Sequence, residues 1–203
     1  MTIKVTPLFL GPMANCCYLV SQGTDALLID PAWDMMAIEQ ELRKENLHLI
    51  GVLFTHGHFD HVKFAQTLLE KYHLKAYLEE NDIDLAGLPS SVLHTYKGDQ
   101  QIQIGPFEII ILATPGHTAG CVCIQIGNYL FTGDTLFPGA CGRVDLPTSS
   151  PRAMTASLKR IASLPRNTVI YAGHSYGDRC RSTVGEEKLK NPFMRNALRG
   201  ENS

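Results

Sequence analysis

Four times along this chain an apolar run stops and a side chain of metal-binding chemistry follows within a few residues. The run Leu49 to Thr55 leads into Thr55-His56-Gly57-His58-Phe59-Asp60-His61. The run that begins at Phe107 leads to Gly116-His117, the stretch through Phe131 to Gly133-Asp134, and the run Thr168 to Ala172 to Gly173-His174. Glycine lets a backbone turn tightly and come close to a site. Open α/β sheets place their chemistry at strand ends. A chain that repeats this pattern so often is expected to bring those strand ends together, with the polar side chains converging on a metal site.

The crowding between His56 and His61 has a physical reading. Side chains alternate along an extended segment, so His56 and His58 project to the same side and can share one ion with a distant third ligand. Asp60 and His61 lie past the strand, where the chain bends into a helix, and suit a second ion. Imidazole and carboxylate ligands suit Zn, Fe or Mn better than soft copper. Two ions about 3.5–4 Å apart need a bridging group, and Asp134 is the obvious carboxylate. His48, His73 and His94 stand in ordinary surface-like contexts.

The rest of the chain reads as buried strands flanked by amphipathic helices. Residues 3–10 and 16–30 carry strand patterns, the second with a hairpin turn at Ser21 to Asp25. Asp34 opens a helix with Met35, Ile38 and Leu42 on one face, and Ala65, Leu68, Leu69 and Tyr72 mark another. Leu74 to Glu80 is expected to be a short strand entering a helix. Residues 107–115 are expected as one strand, and 121–134 as a hairpin turning at Gly127-Asn128. Ser150 and Pro151 form an N-cap and first-turn signal for a third helix bearing Met154, Leu158 and Ile161. A last strand spans Thr168 to His174, and a short helix around Gly185 to Asn191 closes the chain. This alternation predicts a layered α/β sandwich, without ordering the sheets.

Composition narrows the partners. The 203 residues suit one domain, at 44% hydrophobic and 19% charged. The formal net charge is −2 and no basic tract is present, so neither nucleic acid nor an anionic membrane is invited by charge. No apolar run reaches the length of a membrane span, and Pro7, Gly11 and Pro12 break the early apolar stretch too soon for a signal peptide. The expected location is the cytoplasm. The six cysteines lack CxxC spacing and are expected to be buried, inert thiols, with Cys141 the exception to watch.

The Thr55-to-His61 motif, with His117, Asp134 and His174, resembles the metallo-β-lactamase superfamily over roughly Asn15 to Pro192. The resemblance implies a four-layer αββα sandwich with the metals at one edge, within a single domain over residues 1–203. It implies two divalent metal ions, Zn first with Fe or Mn as options. His56, His58 and His117 would hold one ion and Asp60, His61 and His174 the other, with Asp134 bridging. Asp60 and Asp134 are the candidate catalytic carboxylates. The common exported β-lactamases carry cysteine where Asp134 stands, and the flavodiiron branch carries glutamate where His58 stands. The stretch from Phe131 to Asp145 and the segment Ser182 to Phe193 are similar to glyoxalase II and its short relatives. That branch implies cleavage of a small-molecule thioester by a metal-bound hydroxide. The C-terminal helical domain with which full-length glyoxalase II grips glutathione is expected to be missing. Where glyoxalase II has an aromatic pair after its basic residue, this chain has Val144 and Asp145. Arg143 and Tyr176 are the candidate substrate-binding residues, the first through its fork on a substrate carboxylate; the alternatives are a surface ion pair of Arg143 with Asp145 and simple packing of Tyr176. Thr55, Asp145 and Ser175 are candidate partners for the histidine rings. The alternative is a persulfide dioxygenase, with a single iron on His56, His117 and Asp134. Nothing in the sequence marks an oligomer interface.

Overall fold

Alternation along the strands sorts side chains into three apolar layers. In β2 (Asn15–Gln22), Cys16, Tyr18 and Val20 face one way and Cys17 and Leu19 the other. In β3 (Asp25–Ile29), Leu27 and Ile29 join the first set, and Ala26 and Leu28 the second. A strand buried on both faces lies between two layers of other structure. The computed structural model, which describes residues 2–176 and 179–200, supplies those layers.

One six-stranded sheet runs β1 (Lys4–Leu10), β2, β3, β4 (His48–Leu53), β5 (Ala76–Glu79) and β6 (Leu93–Tyr96) in spatial order. Its first two pairings are antiparallel and the other three parallel. The second sheet contains β7 (Gln100–Ile104), β8 (Phe107–Ala113), β9 (Val122–Ile126) and β10 (Tyr129–Gly133), all antiparallel neighbours. A short ribbon, β11 (Leu136–Phe137) with β12 (Ala140–Cys141), stands outside both sheets. β13 (Val169–Ala172) then joins the second sheet parallel to β10, and β14 (Arg181–Thr183) completes it at the edge.

The two sheets face each other across Tyr18, Leu27, Ile29, Leu53, Phe107, Ile109, Val122, Ile124 and Phe131. The outer face of the first sheet is covered by α1 (Met35–Lys44) and, past the one-turn α2 (Phe59–Val62), by α3 (Ala65–Tyr72), through Ile38, Leu42, Leu68 and Leu69. α4 (Ile83–Ala86) follows β5. The outer face of the second sheet is covered by α5 (Pro151–Ala162), α6 (Val184–Lys190) and α7 (Pro192–Arg199), through Met154, Leu158, Ile161, Val184, Met194 and Ala197. The architecture is the four-layer αββα sandwich.

Local signals account for most of the elements. Asp34 caps α1 and Ser150 caps α5, each accepting a hydrogen bond from the backbone three residues on. Leu74 to Glu80 supplies β5 and enters a 3-10 turn, Glu80–Asp82, ahead of α4. Five strands and one helix go beyond the sequence reading. β6, β7, β14 and the ribbon strands are short or lie at edges, and α7 follows α6 after the single residue Asn191, whose side chain caps it. His48, His73 and His94 are exposed, and the six cysteines are free, five of them buried. No described helix is long and apolar enough to cross a membrane.

Candidate metal centre

Loops at one edge of both sheets meet. β4 ends at Leu53, and the chain leaves the sheet through Thr55, His56 and His58 before α2 presents Asp60 and His61. From the second sheet come His117 after β8, Asp134 after β10 and His174 after β13. Gly133, with φ of 48°, makes the turn before Asp134 where a Cβ would overlap the side chain of Thr55. An isolated bridge between Asn15 and His174 ties the edges of the two sheets together.

The side chains form two adjoining groups. In the first, His58 Nδ1 lies 3.1 Å from His56 Nε2 and 2.9 Å from His117 Nε2. In the second, His174 Nε2 lies 3.3 Å from both His61 Nε2 and Asp60 Oδ2. Each triad could hold an ion, its ligand atoms lying within 4.8 Å of one another. Asp134 sits between them. Its Oδ2 is 3.5 Å from His117 Nε2 and 3.4 Å from His174 Nε2, and its Oδ1 is 3.5 Å from His61 Nε2.

The outer ring nitrogens are already committed. His117 Nδ1 donates to the carbonyl of Arg143 at 2.9 Å, and His174 Nδ1 to the carbonyl of Met13 at 2.8 Å. His61 Nδ1 meets Asp30 Oδ2 at 2.9 Å, and His56 Nδ1 meets Thr55 Oγ1 at 3.1 Å. In a neutral ring whose Nδ1 carries the proton, Nε2 is a bare acceptor. With the rings neutral, these nitrogens point lone pairs at one another and at two carboxylates, an arrangement that needs protons or metal ions between them. Asp134 Oδ1 is buried with no hydrogen-bond donor. Such a concentration of buried acceptors calls for positive charge. Divalent metal bound among these groups would meet that need, and the N and O donor set fits zinc or iron.

The titration behaviour reports the same demand. Burial and the neighbouring His61 and His117 push His56 down, and burial and His117 push His58 down. Burial also acts to lower His174, but Asp134 and Asp60 overcome it and raise the ring to about 10. Burial is likewise overcome at His61, by Asp30 and Asp134. Burial acts to raise Asp60 and Asp134, yet the imidazoles hold both below the usual carboxylate range.

The surrounding support was only partly foreseen. Thr55 does meet a histidine. Asp145 instead pairs with Arg143, and Ser175 gives its backbone N–H to Ala14 at 2.9 Å. Asp30, which sequence reading passed over, accepts from Thr55 N at 2.8 Å and Thr55 Oγ1 at 2.6 Å besides meeting His61. Asn15 was also missed: its amide donates to the Asp60 side chain and carbonyl, each at 3.0 Å, while Trp33 Nε1 donates back to it. Two further acceptors, the carbonyls of Met13 and Arg143, leave no mark in a sequence.

A cavity of about 540 Å³ opens over the cluster. Its wall includes Met13, Phe59, Phe137, Leu146 and Tyr176, with His58, Asp60, His117, Asp134 and His174 at the polar end. Tyr176 stacks on His174 at 4.6 Å and 9°, and burial with Asp134 and Asp60 nearby pushes its phenol up to about 12. Cys141 lines the same wall, and burial pushes its thiol up to about 11, so it stays protonated near neutral pH. Arg143 is on the rim, but its fork is taken: Nε and Nη2 donate to the two oxygens of Asp145 at 2.7 and 2.8 Å.

A family model of the metallo-beta-lactamase superfamily matches residues 10–174. A probable polyketide biosynthesis zinc-dependent hydrolase of Bacillus velezensis is 35% identical over 181 residues, 88% of this chain and 80% of the relative. A hydroxyacylglutathione hydrolase of Tolumonas auensis is 36% identical over 164 residues, 80% of this chain but 62% of the relative. Among solved structures, a protein crystallised in a di-iron-bound form superposes with a TM-score of 0.80 at 36% identity, over 93% of this chain and all of the other.

Proposed function

The chain belongs to the metallo-beta-lactamase superfamily, and from that membership we propose a two-metal hydrolase that cleaves thioesters of apolar acyl groups. One observation carries the two-metal reading: Asp134 lies between the two triads, its Oδ2 near His117 of one and His174 of the other and its Oδ1 near His61, while the outer nitrogens of His56, His61, His117 and His174 are already bonded. In this reading His56, His58 and His117 hold one ion and Asp60, His61 and His174 the other, with Asp134 between them. When bound, such ions lower the pKa of water towards neutrality and polarise a substrate carbonyl.

The protein's own groups do the rest. Asp30, Thr55 and the carbonyls of Met13 and Arg143 hold the rings in one orientation, so little ordering is left to the reaction. Asp60 and Asp134, held below the usual carboxylate range, stay ionised at neutral pH. Tyr176 keeps its proton there and offers a donor at the cavity mouth. Met13, Phe59, Phe137 and Leu146 exclude water and offer an apolar acyl chain surface to bury against.

The thiol side follows from charge. The named relatives frame the choice, one a polyketide biosynthesis hydrolase and the other acting on hydroxyacylglutathione. Among the described residues lining the cavity outside the ligand cluster, Arg143 is the cation, and Asp145 neutralises it. An uncharged thiol fits this rim better than the two carboxylates of glutathione.

The test is metal analysis of the purified chain with a matched thioester series. We expect two ions per chain. We expect kcat/KM on N-acetylcysteamine thioesters to rise with acyl length, up to about fourfold per buried methylene, and glutathione thioesters to gain nothing from their carrier. One iron per chain, with oxygen uptake on glutathione persulfide and no thioester cleavage, overturns this reading in favour of the dioxygenase.

A further inference from the structure

Behind the cluster lies a carboxylate to which neither the two triads nor the sequence pattern assigns a part. Asp82 ends the 3-10 turn Glu80–Asp82 after β5 and is fully buried. Its partners are neutral donors from two loops. Gly57 N donates to Oδ2 at 2.8 Å and Thr118 Oγ1 to the same oxygen at 2.7 Å, while Gly120 N donates to Oδ1 at 2.8 Å.

The identity of those donors matters. Gly57 lies between His56 and His58, and Thr118 directly follows His117. One side chain therefore clasps the backbone beside all three members of one triad, joining a loop of the first sheet to a loop of the second. Both loops approach so closely that a side chain is excluded. A Cβ on Gly57 would fall 2.5 Å from the Asp82 carbonyl oxygen, and one on Gly120 would fall 2.6 Å from Asp82 Cγ. The other triad has different supports: Asn15 on Asp60, Asp30 on His61 and the Met13 carbonyl on His174.

We infer that Asp82 is a positioning residue for the ion held by His56, His58 and His117, and not for the ion held by Asp60, His61 and His174. The inference rests on the two-metal reading above. Two backbone N–H groups aimed at its two oxygens require acceptors on both. Asn at this position keeps the shape but turns a donor towards one of those N–H groups, leaving a buried clash of donors. The loops then relax apart and their histidines lose their fixed spacing.

The experiment uses the full chain, stripped of metal with a chelator and titrated with Zn2+ by calorimetry. In Asp82→Asn we expect one of the two affinities to fall about 10–100-fold, the usual effect of losing an outer partner of a ligand set, and the other to stay at its wild-type value. Thr118→Val, which removes one of three hydrogen bonds, weakens the same ion by a smaller factor and serves should Asp82→Asn fail to fold. Leu68→Ala, a cavity in the α3 packing, lowers stability without touching either loop and should leave both affinities unchanged. Two wild-type affinities in Asp82→Asn overturn the inference, and so does an equal loss at both sites or a matching loss in Leu68→Ala. A wild-type chain that takes up a single ion refutes the two-metal reading instead, and the role of Asp82 then survives only with that ion weakened.

Discussion

Asp134 bears more of the cluster than any other single side chain. It is buried, it reaches histidines of both triads, and one of its oxygens has no donor. Asp134→Ala is therefore expected to lower the content of both ions and to cost more activity than the 10–100-fold typical of losing an outer partner. Among the ligand histidines Asp60 meets His61 and His174, so Asp60→Ala should release one ion and keep the other. Metal analysis of the two variants side by side checks the difference; equal losses from both remove the bridging role. Arg143 and Asp145 are both well exposed, and a surface ion pair is worth little. Arg143→Ala should then change KM for anionic and neutral thioesters alike by less than about threefold, as steady-state kinetics on a matched pair will read.

At the scale of elements, rigid strands end where the chemistry begins, and short pieces aim the ligands. The single turn of α2 presents Asp60 and His61 to His174, while His58, just before it, meets His56 and His117. On the far side of the second sheet, Glu186 fastens α6 to the strand before it. Arg179 and Lys190 hold its carboxyl down to about 2, and Ser182 also donates to it. A folded-state pKa below the unfolded one means stabilisation that is fully present above the ordinary carboxylate range. It is lost as pH falls through that range towards about 2. The gap in urea midpoint between wild type and Glu186→Gln should accordingly be largest near neutral pH and should close on acidification. A gap that widens in acid contradicts the assignment.

For the whole molecule, the metal cluster is also a clasp. Its ligands come from loops of both sheets, so ions bound there link the two halves of the sandwich. Ligands that bind only the folded state stabilise it by mass action, by about 2.7 kcal/mol at a hundredfold excess over Kd. For a chain of this size that corresponds to a rise in Tm of about 5–10 °C. Calorimetry before and after chelation should show a shift of that order, restored by Zn2+. The Asp82 inference adds that the clasp is partly preassembled by hydrogen bonds in the protein.

Several of these features were legible in the chain alone, for reasons that are local. Ligand chemistry is carried by side-chain type, and the glycines before His117, Asp134 and His174 mark sharp turns at strand ends. Helix starts at Asp34 and Ser150 were readable because a cap acts over three residues. The order of the strands was not readable: β13 lies beside β10 across the intervening ribbon and α5, a pairing that only long-range packing selects. Nor could a sequence separate Asp30, Asn15 and Asp82 from solvated polar residues, since each is defined by what the fold brings to it from 25 or more residues away. Residue type and order, with the family resemblance, marked which side chains could hold metal and how they fall into two groups. Packing in three dimensions settled which acceptors orient the rings and that Arg143 spends its fork on Asp145, because hydrogen bonding and burial depend on neighbours in space rather than along the chain.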